Sequence, residues 1–218
     1  MKPDIASIYE DKDVIILNKP PRVLYDWALK ERPGLIPVHR LDKDTSGVIL
    51  FAKNGKAAEY LKERFQAHEI QKTYQALVGG EVKNESGVIR LSLGRSARTP
   101  FKRIAIGRRR GKIREAASAY RVMKRFEGFT LLEVRPKTGR THQIRSHFAA
   151  IGHPVVCDPL YSGKRLLCPG GLTRHFLHAS SLELTLPSGL RARLEAVLPG
   201  DLEHVLQEIE KSAKTDAS

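Results

Sequence analysis

At 218 residues with 41% hydrophobic content, the chain is long enough to bury a real core and too apolar to stay disordered. Lysine and arginine number 38 against 24 acidic residues, a formal net charge of +14 and a pI near 10.0, which favours a polyanion, RNA or DNA, as partner. A membrane is the weaker alternative and is not expected: no apolar run approaches the ~20 residues that span a bilayer, and MKPDIASIYE lacks the charged-then-apolar order of a signal peptide, so a cytoplasmic location is expected. Cys157 and Cys168 lack C-x-x-C spacing and are expected to stay reduced.

In chain order, the first strand is expected to begin near Ile5. VIILNKP (14–20) predicts a buried strand that feeds a loop at its proline pair, and GVILFAK (47–53) a second strand with β-branched content. GKAAEYLKERFQAHEI (55–70) spaces Ala58, Leu61 and Phe65 for one face of a helix. TYQALVGG (73–80) returns to extended structure and stops at paired glycines. Two alternating runs between 116 and 135 flank Glu127-Gly128, which predicts a hairpin. THQIRSHFAAIG (141–152) predicts a helix capped by Thr141 and ended by Gly152. SLELTLPSGLRARLEAVL (181–198) predicts another hairpin, turning at Pro187-Ser188-Gly189, and GDLEHVLQEIEK (200–211) a last helix capped by Asp201. With no repeat and no linker, the economical reading is one α+β, sheet-rich catalytic domain over 1–210, followed by a frayed polar tail over 211–218.

Two stretches carry an excess of charge. RSARTPFKRIAIGRRRGKIR (95–114) holds nine basic residues and no acid. A solvated face is one reading of such a run. A projecting loop that tracks phosphates, with Arg108, Arg109 and Arg110 among its contacts, fits better, because the segment joins two strand-like regions, includes Gly107 and Gly111, and resists burial. The second stretch, RPKTGRTHQIRSHFAAIGHPVVCDPLYSG (135–163), crowds Arg135, Arg140, Arg145, His142 and His147 around a helix start, where backbone N–H groups suit an anion. Its histidines are five apart, not four, with Arg145 between them, so a metal site is not expected and hydrogen bonding is the better role for His142, His147 and His153. His175 and His178 have no nearby carboxylate in sequence and are expected to be structural.

HRLDKDTSGVILFAKN (39–54) sets Asp42 between Arg40 and Lys43 on the threshold of a strand. Local sequence leaves two readings open, a solvated turn acid and a poised carboxylate.

Together, HRLDKDTSGVILFAKN and KTGRTHQIRSHFAAIGHPVVCDPLYSG (137–163) resemble the RluA-type family of pseudouridine synthases. The likeness covers His-Arg-Leu-Asp followed by Thr-Ser-Gly, then Gly-Arg-Thr-His-Gln-hydrophobic-Arg, then Gly-His-Pro followed by Asp and Tyr. QKTYQALVGG (71–80) adds the family's tyrosine, and the resemblance runs from about residue 8 to 198. It implies the pseudouridine synthase fold, a mixed and mainly antiparallel sheet with flanking helices and loops. It also implies an enzyme that turns a uridine of rRNA or tRNA into pseudouridine, as a monomer, with no metal and no organic cofactor. Asp42 corresponds to the catalytic aspartate, Arg145 to its basic partner, and Tyr74 to the tyrosine against the target base. Ile144 corresponds to the pocket wall and Arg40 to the arginine that displaces the base. His39, Thr45 and Arg140 within the same motifs are expected on the substrate side.

A glycosidic bond explains these residue types. A carboxylate can attack the anomeric carbon, take a neighbouring proton or stabilise positive charge on the sugar. A permanently charged guanidinium favours its ionised form. One position departs from the family: Asn-Lys-Pro-any-Gly becomes NKPPR (18–22), with Arg22 in place of glycine. Nor is a preceding S4 RNA-binding domain expected, so the 95–114 segment is expected to grip the RNA. A non-catalytic RNA-binding protein is disfavoured because Asp42, Tyr74 and Arg145 are all present. A methyltransferase is disfavoured because no G-x-G-x-x-G run follows a strand.

Overall fold

The computed structural model describes residues 7–99, 101–163 and 166–215. Its elements in chain order are β1 (Ser7–Glu10), β2 (Val14–Lys19), α1 (Ala28–Glu31), β3 (Ile36–Pro37), β4 (Ser46–Ala52) and α2 (Gly55–Gln66). There follow β5 (Gln71–Gly79), β6 (Ser86–Arg90), β7 (Leu93–Ser96), β8 (Arg103–Ile104), β9 (Arg109–Arg114), β10 (Ala117–Phe126) and β11 (Phe129–Pro136). The chain closes with α3 (Gln143–Ala150), β12 (Leu177–Thr185), β13 (Arg191–Glu195) and α4 (Gly200–Thr215). This is the α+β class, with sheets that are mixed and mostly antiparallel. The contacts divide it into two compact units, Met1–Tyr74 with His178–Leu198, and Gln75–Leu177 with Pro199–Ser218.

In the first unit the sheet runs β1-β2-β4-β12, with β13 beside β12 and β3 paired to β4. β2 and β4 are antiparallel from Val14↔Ala52 to Lys19↔Gly47, whereas β12 runs parallel to β4. Both central strands are apolar without alternation because both faces are covered. Val14, Ile16, Val48 and Leu50 pack with Ala57, Ala58 and Leu61 of α2. Ile15, Leu17, Ile49 and Phe51 pack on the other side with Trp27, Ala28 and Leu41. The α2 helix starts where Asn54 Oδ1 accepts from the Ala57 N–H (2.9 Å), and it stops at Gln66, short of the predicted end, because His68 turns left-handed at φ 60°. That turn sends Ile70 back into the core.

In the second unit the order is β5-β11-β10-β6, and a separate sheet runs β8-β7-β9. The predicted hairpin forms at Glu127-Gly128, where Gly128 holds φ 72°. Three expectations are corrected. The basic 95–114 segment is not a loop but contributes to all three strands of the small sheet, closed beneath by Leu93, Ala105 and Ala116. α3 begins at Gln143 behind a left-handed His142 (φ 55°), not behind a Thr141 cap. Asp201 lies inside α4, not at its cap position, and its carboxylate takes Arg174 Nε (2.6 Å) and Nη2 (2.9 Å) as well as the first-turn Leu202 N–H (3.0 Å). α4 continues to Thr215, so only 216–218 of the expected tail lie outside the described residues, as does Ile5 at the other end.

The cysteines also differ from expectation: Cys157 and Cys168 form a disulfide. The chain folds back between them and brings their Cα atoms to 4.7 Å, a separation that a disulfide spans and that sequence spacing does not disclose. Among the described residues, no helix is long and apolar enough to cross a membrane.

Candidate functional site

Asp42 lies half-buried in the short loop that precedes β4, and each residue around it is fixed by a distinct contact. Leu41 is buried in the core beside Ile49 and Phe51. The Thr45 N–H donates to the Asp42 carbonyl (3.1 Å), closing a turn under the carboxylate. Ser46 Oγ lies 3.0 Å from His178 Nδ1, and His178 Nε2 lies 3.1 Å from the Ala196 carbonyl. A carbonyl only accepts, so Nε2 carries a proton toward Ala196, and the ring is held between Ser46 and Ala196. Gly47 sits at φ 114°, and a Cβ there would lie 2.1 Å from the Ala179 carbonyl oxygen. Only glycine lets β4 approach β12 that closely. The Thr-Ser-Gly sequence is thus one buried residue, one hydrogen bond and one close approach, which together mount the acid on the sheet.

The strongest tether comes from a residue the sequence reading passed over. Lys19 is fully buried, and its ammonium donates to the carbonyls of Pro20 (2.8 Å), Val23 (2.9 Å) and Lys43 (2.9 Å). It joins the NKPPR turn to the Asp42 loop, and a protonated amine satisfied by three carbonyls is the condition for burying it. The available signal is a lysine that ends a strand opened by four apolar residues, VIILNK.

Tyr74 is half-buried against the core layer of Ile49 and Phe51. Burial first, and the nearby charge of Asp42 second, push its phenol above the usual range, so it stays protonated. Arg40 is exposed, with its guanidinium 5.2 Å from the Tyr25 ring centroid. His39 serves the framework: its Nε2 accepts from the Leu50 N–H (2.8 Å) and its ring centroid lies 5.0 Å from that of Phe65. Burial, then the charge of Lys72, pulls its imidazole down to about 3, so it is a neutral acceptor. Thr45 is buried.

In the second unit, Ile144 and Arg145 are buried on α3. Arg145 donates Nε to Asp158 Oδ2 (2.7 Å) and Nη2 to Asp158 Oδ1 (2.9 Å), a buried bidentate pair. Asp158 Oδ1 also accepts from the N–H groups of Leu160 (3.0 Å) and Tyr161 (3.3 Å). Sequence reading quoted Asp158 within its motif without giving it a task, because a carboxylate thirteen residues from its arginine shows no helical spacing. Gln143 and His147 anchor α3 to β10. Gln143 Nε2 donates to Ser118 Oγ (3.0 Å), and His147 takes the Ser118 hydroxyl at Nδ1 (3.0 Å) while giving its Nε2 proton to the Leu91 carbonyl (2.9 Å). Burial lowers the His147 pKa, which keeps this neutral pattern. Arg140 donates Nε to the Glu115 carbonyl (3.2 Å).

The small sheet presents its cations outward. Arg108 and Arg110 are exposed, and Arg109 is half-buried through a bond from Nη1 to the Ser92 carbonyl (2.9 Å). Its register sets Arg95 opposite both Arg103 and Arg110. Like charges directly opposed across strands repel.

Residues 13–150 match the family model described as RNA pseudouridylate synthase. An uncharacterized RNA pseudouridine synthase of Chloroflexus aurantiacus is 40% identical over 84% of this chain and 55% of that protein. The ribosomal large subunit pseudouridine synthase C of Vibrio vulnificus is 34% identical over 94% of this chain and 69% of its own length. The chain therefore spans little more than half of the first relative and over two thirds of the second. A solved human structure, RNA Pseudouridylate Synthase Domain Containing 1, superposes with a TM-score of 0.78 at 24% identity, covering 100% of this chain and 98% of that one, which shows a common fold.

Proposed function

Since the chain belongs to the RNA pseudouridylate synthase family, we propose that it isomerises a specific uridine to pseudouridine in ribosomal or transfer RNA, with Asp42 as the essential carboxylate. The N1–C1′ bond breaks, the uracil turns, and C1′ rejoins at C5, which gives up its proton while N1 gains one. The observation that carries this reading is the mounting of Asp42: an acid at the mouth of a fully buried strand, tethered by Lys19 and within electrostatic reach of Tyr74. The similarity to a ribosomal large subunit enzyme supports rRNA over tRNA.

Roles follow from environment. Tyr74, kept protonated, offers a ring for the base and a hydroxyl donor for the sugar. Arg145, with its guanidinium oriented by Asp158, supplies the cationic group, and Ile144 the apolar wall. A paired uridine must leave the stack at a cost of a few kcal/mol, and the exposed Arg40 on Tyr25 is suited to fill the vacated space. Thr45 and His39 support the loop beneath that space, and Arg140 joins the phosphate contacts. The β7–β9 sheet, with Arg108, Arg109 and Arg110, grips the RNA backbone without reading sequence. A single catalytic domain over 1–210, acting as a monomer in the cytoplasm, is the arrangement proposed.

Asp42→Asn tests the reading. Tritium release from uridine labelled at C5 is expected to fall by more than about a thousandfold while fold and RNA affinity survive. Undiminished release would remove Asp42 from the reaction. Absence of any release by the wild-type chain, across ribosomal and transfer RNAs, would leave an RNA-binding protein on this scaffold.

A further inference from the structure

Tyr161 is absorbed by none of these roles, yet it touches three functional parts of its unit at once. Its hydroxyl lies 2.6 Å from the Arg103 carbonyl and 3.1 Å from the Arg103 N–H, the two backbone groups of one β8 residue. It also lies 3.1 Å from Nδ1 of His142, the residue that opens α3. A phenol has one proton and accepts at its lone pairs; the carbonyl takes the proton, so His142 must donate from Nδ1. Over the ring stand two cations, Arg145 with Cζ 5.2 Å from the centroid and Lys102 with Nζ 4.7 Å away. Lys102 also donates to the Leu160 carbonyl (2.5 Å), and the Tyr161 N–H donates to Asp158, the carboxylate that orients Arg145.

We propose that Tyr161 is a positioning residue that couples RNA binding on the basic β7–β9 sheet to the placement of Arg145. The idea rests on the reading above, in which Arg145 serves the reaction and the sheet holds RNA. Phosphates that bind the sheet pull on Lys102 and Arg103, which are fastened to the Tyr161 hydroxyl, ring and preceding carbonyl. The same side chain borders the first turn of α3 and the guanidinium of Arg145. A displacement of the sheet therefore cannot leave Arg145 and its carboxylate unmoved. The rigid ring and the Asp158 loop supply the physical continuity that such coupling needs.

Tyr161→Phe keeps the ring under both cations and removes the three hydroxyl contacts. With an in vitro transcript of large-subunit ribosomal RNA, affinity is expected to stay within about threefold of wild type, while single-turnover conversion at saturating RNA falls about tenfold. Amide exchange supplies a readout independent of turnover. In the wild-type protein the RNA is expected to slow exchange both in β7–β9 and over 143–147; in the variant only the β7–β9 protection should remain. If the wild-type chain converts no uridine, the isomerase reading fails and the exchange experiment still decides the coupling. Equal conversion in the two proteins, persistence of the α3 protection, or a rate loss matched by equal losses of affinity and Tm would each overturn the proposal, the last by reducing Tyr161 to a structural role. Should Tyr161→Phe not fold, Lys102→Met removes the cation over the ring and the bond to the Leu160 carbonyl while leaving the Arg103 contacts, and is expected to reduce the same α3 protection; unchanged protection would overturn the proposal.

Discussion

The loop that carries Asp42 and the sheet that carries Arg108 to Arg110 are both short-strand structures, but they are made by opposite rules. β4 is buried along all seven residues, bonded on both edges, and packed on both faces. The β7–β9 sheet has a core of Leu93, Ala105 and Ala116, and its arginines face one another across the strands. In the first, packing over-determines the position of one carboxylate, which suits chemistry that tolerates little displacement. In the second, backbone pairing holds together a surface on which arginines oppose one another across strands, which suits the RNA contact proposed for it. Dense packing and clustered surface charge are therefore kept in different parts of one chain.

That contrast can be broken at either end. The largest effect is expected in the mount: Phe51→Ala removes a fully buried ring that meets Trp27 edge-on at 6.3 Å, and should cost about 3–5 kcal/mol in urea unfolding. Ile113→Ala on β9, already 49% exposed, should stay within about 0.5 kcal/mol, and a comparable loss at both sites would erase the distinction. The arm should respond in binding instead. Replacing Arg108, Arg109 and Arg110 together by alanine is expected to weaken RNA about ten- to hundredfold near physiological salt and to reduce the slope of log K against log salt by about 2. Filter binding across a salt series measures both. An unchanged slope would mean that these arginines are only a solvated face.

How far the sequence disclosed this structure follows the same divide. Strands such as Val14–Lys19 and Ser46–Ala52 were legible because burial on two faces demands uninterrupted apolar runs, and α2 because one buried face demands helical spacing. The β7–β9 strands were not, because backbone pairing in the small sheet does not require the apolar pattern that periodicity detects. Among the candidate site residues, Asp42, Tyr74 and Arg145 were reached through the resemblance of their motifs to a family, because local pattern alone left Asp42 an ordinary turn acid, and the groups that hold Asp42 and Arg145 did not stand out. Lys19 reaches the Lys43 carbonyl across 24 positions, and Asp158 meets Arg145 through a turn whose path local spacing does not encode. The disulfide was hidden for the same reason: its partners meet only once the chain between them folds back.

The smallest effect concerns the one departure from the family pattern. Arg22 stands where the resemblance leads one to expect glycine, and it adopts φ 68°. Lys19 helps to hold this conformation, because its bonds to the Pro20 and Val23 carbonyls bracket residue 22. A left-handed residue with a Cβ costs about 1–2 kcal/mol, and part of that gain on substitution is offset by the greater freedom of glycine in the unfolded chain. Arg22→Gly should therefore stabilise by up to about 1 kcal/mol, a rise of about 2–4 °C in Tm for a chain of this size. Arg22→Ala keeps the Cβ and removes the guanidinium, so it separates backbone relief from side-chain contacts and should not share the gain. If alanine stabilises as much as glycine, the strain lies in the arginine's surroundings. If glycine lowers Tm, the side chain contributes more to the turn than the left-handed backbone costs, and Arg22 is an adaptation of this chain's Asp42 mount.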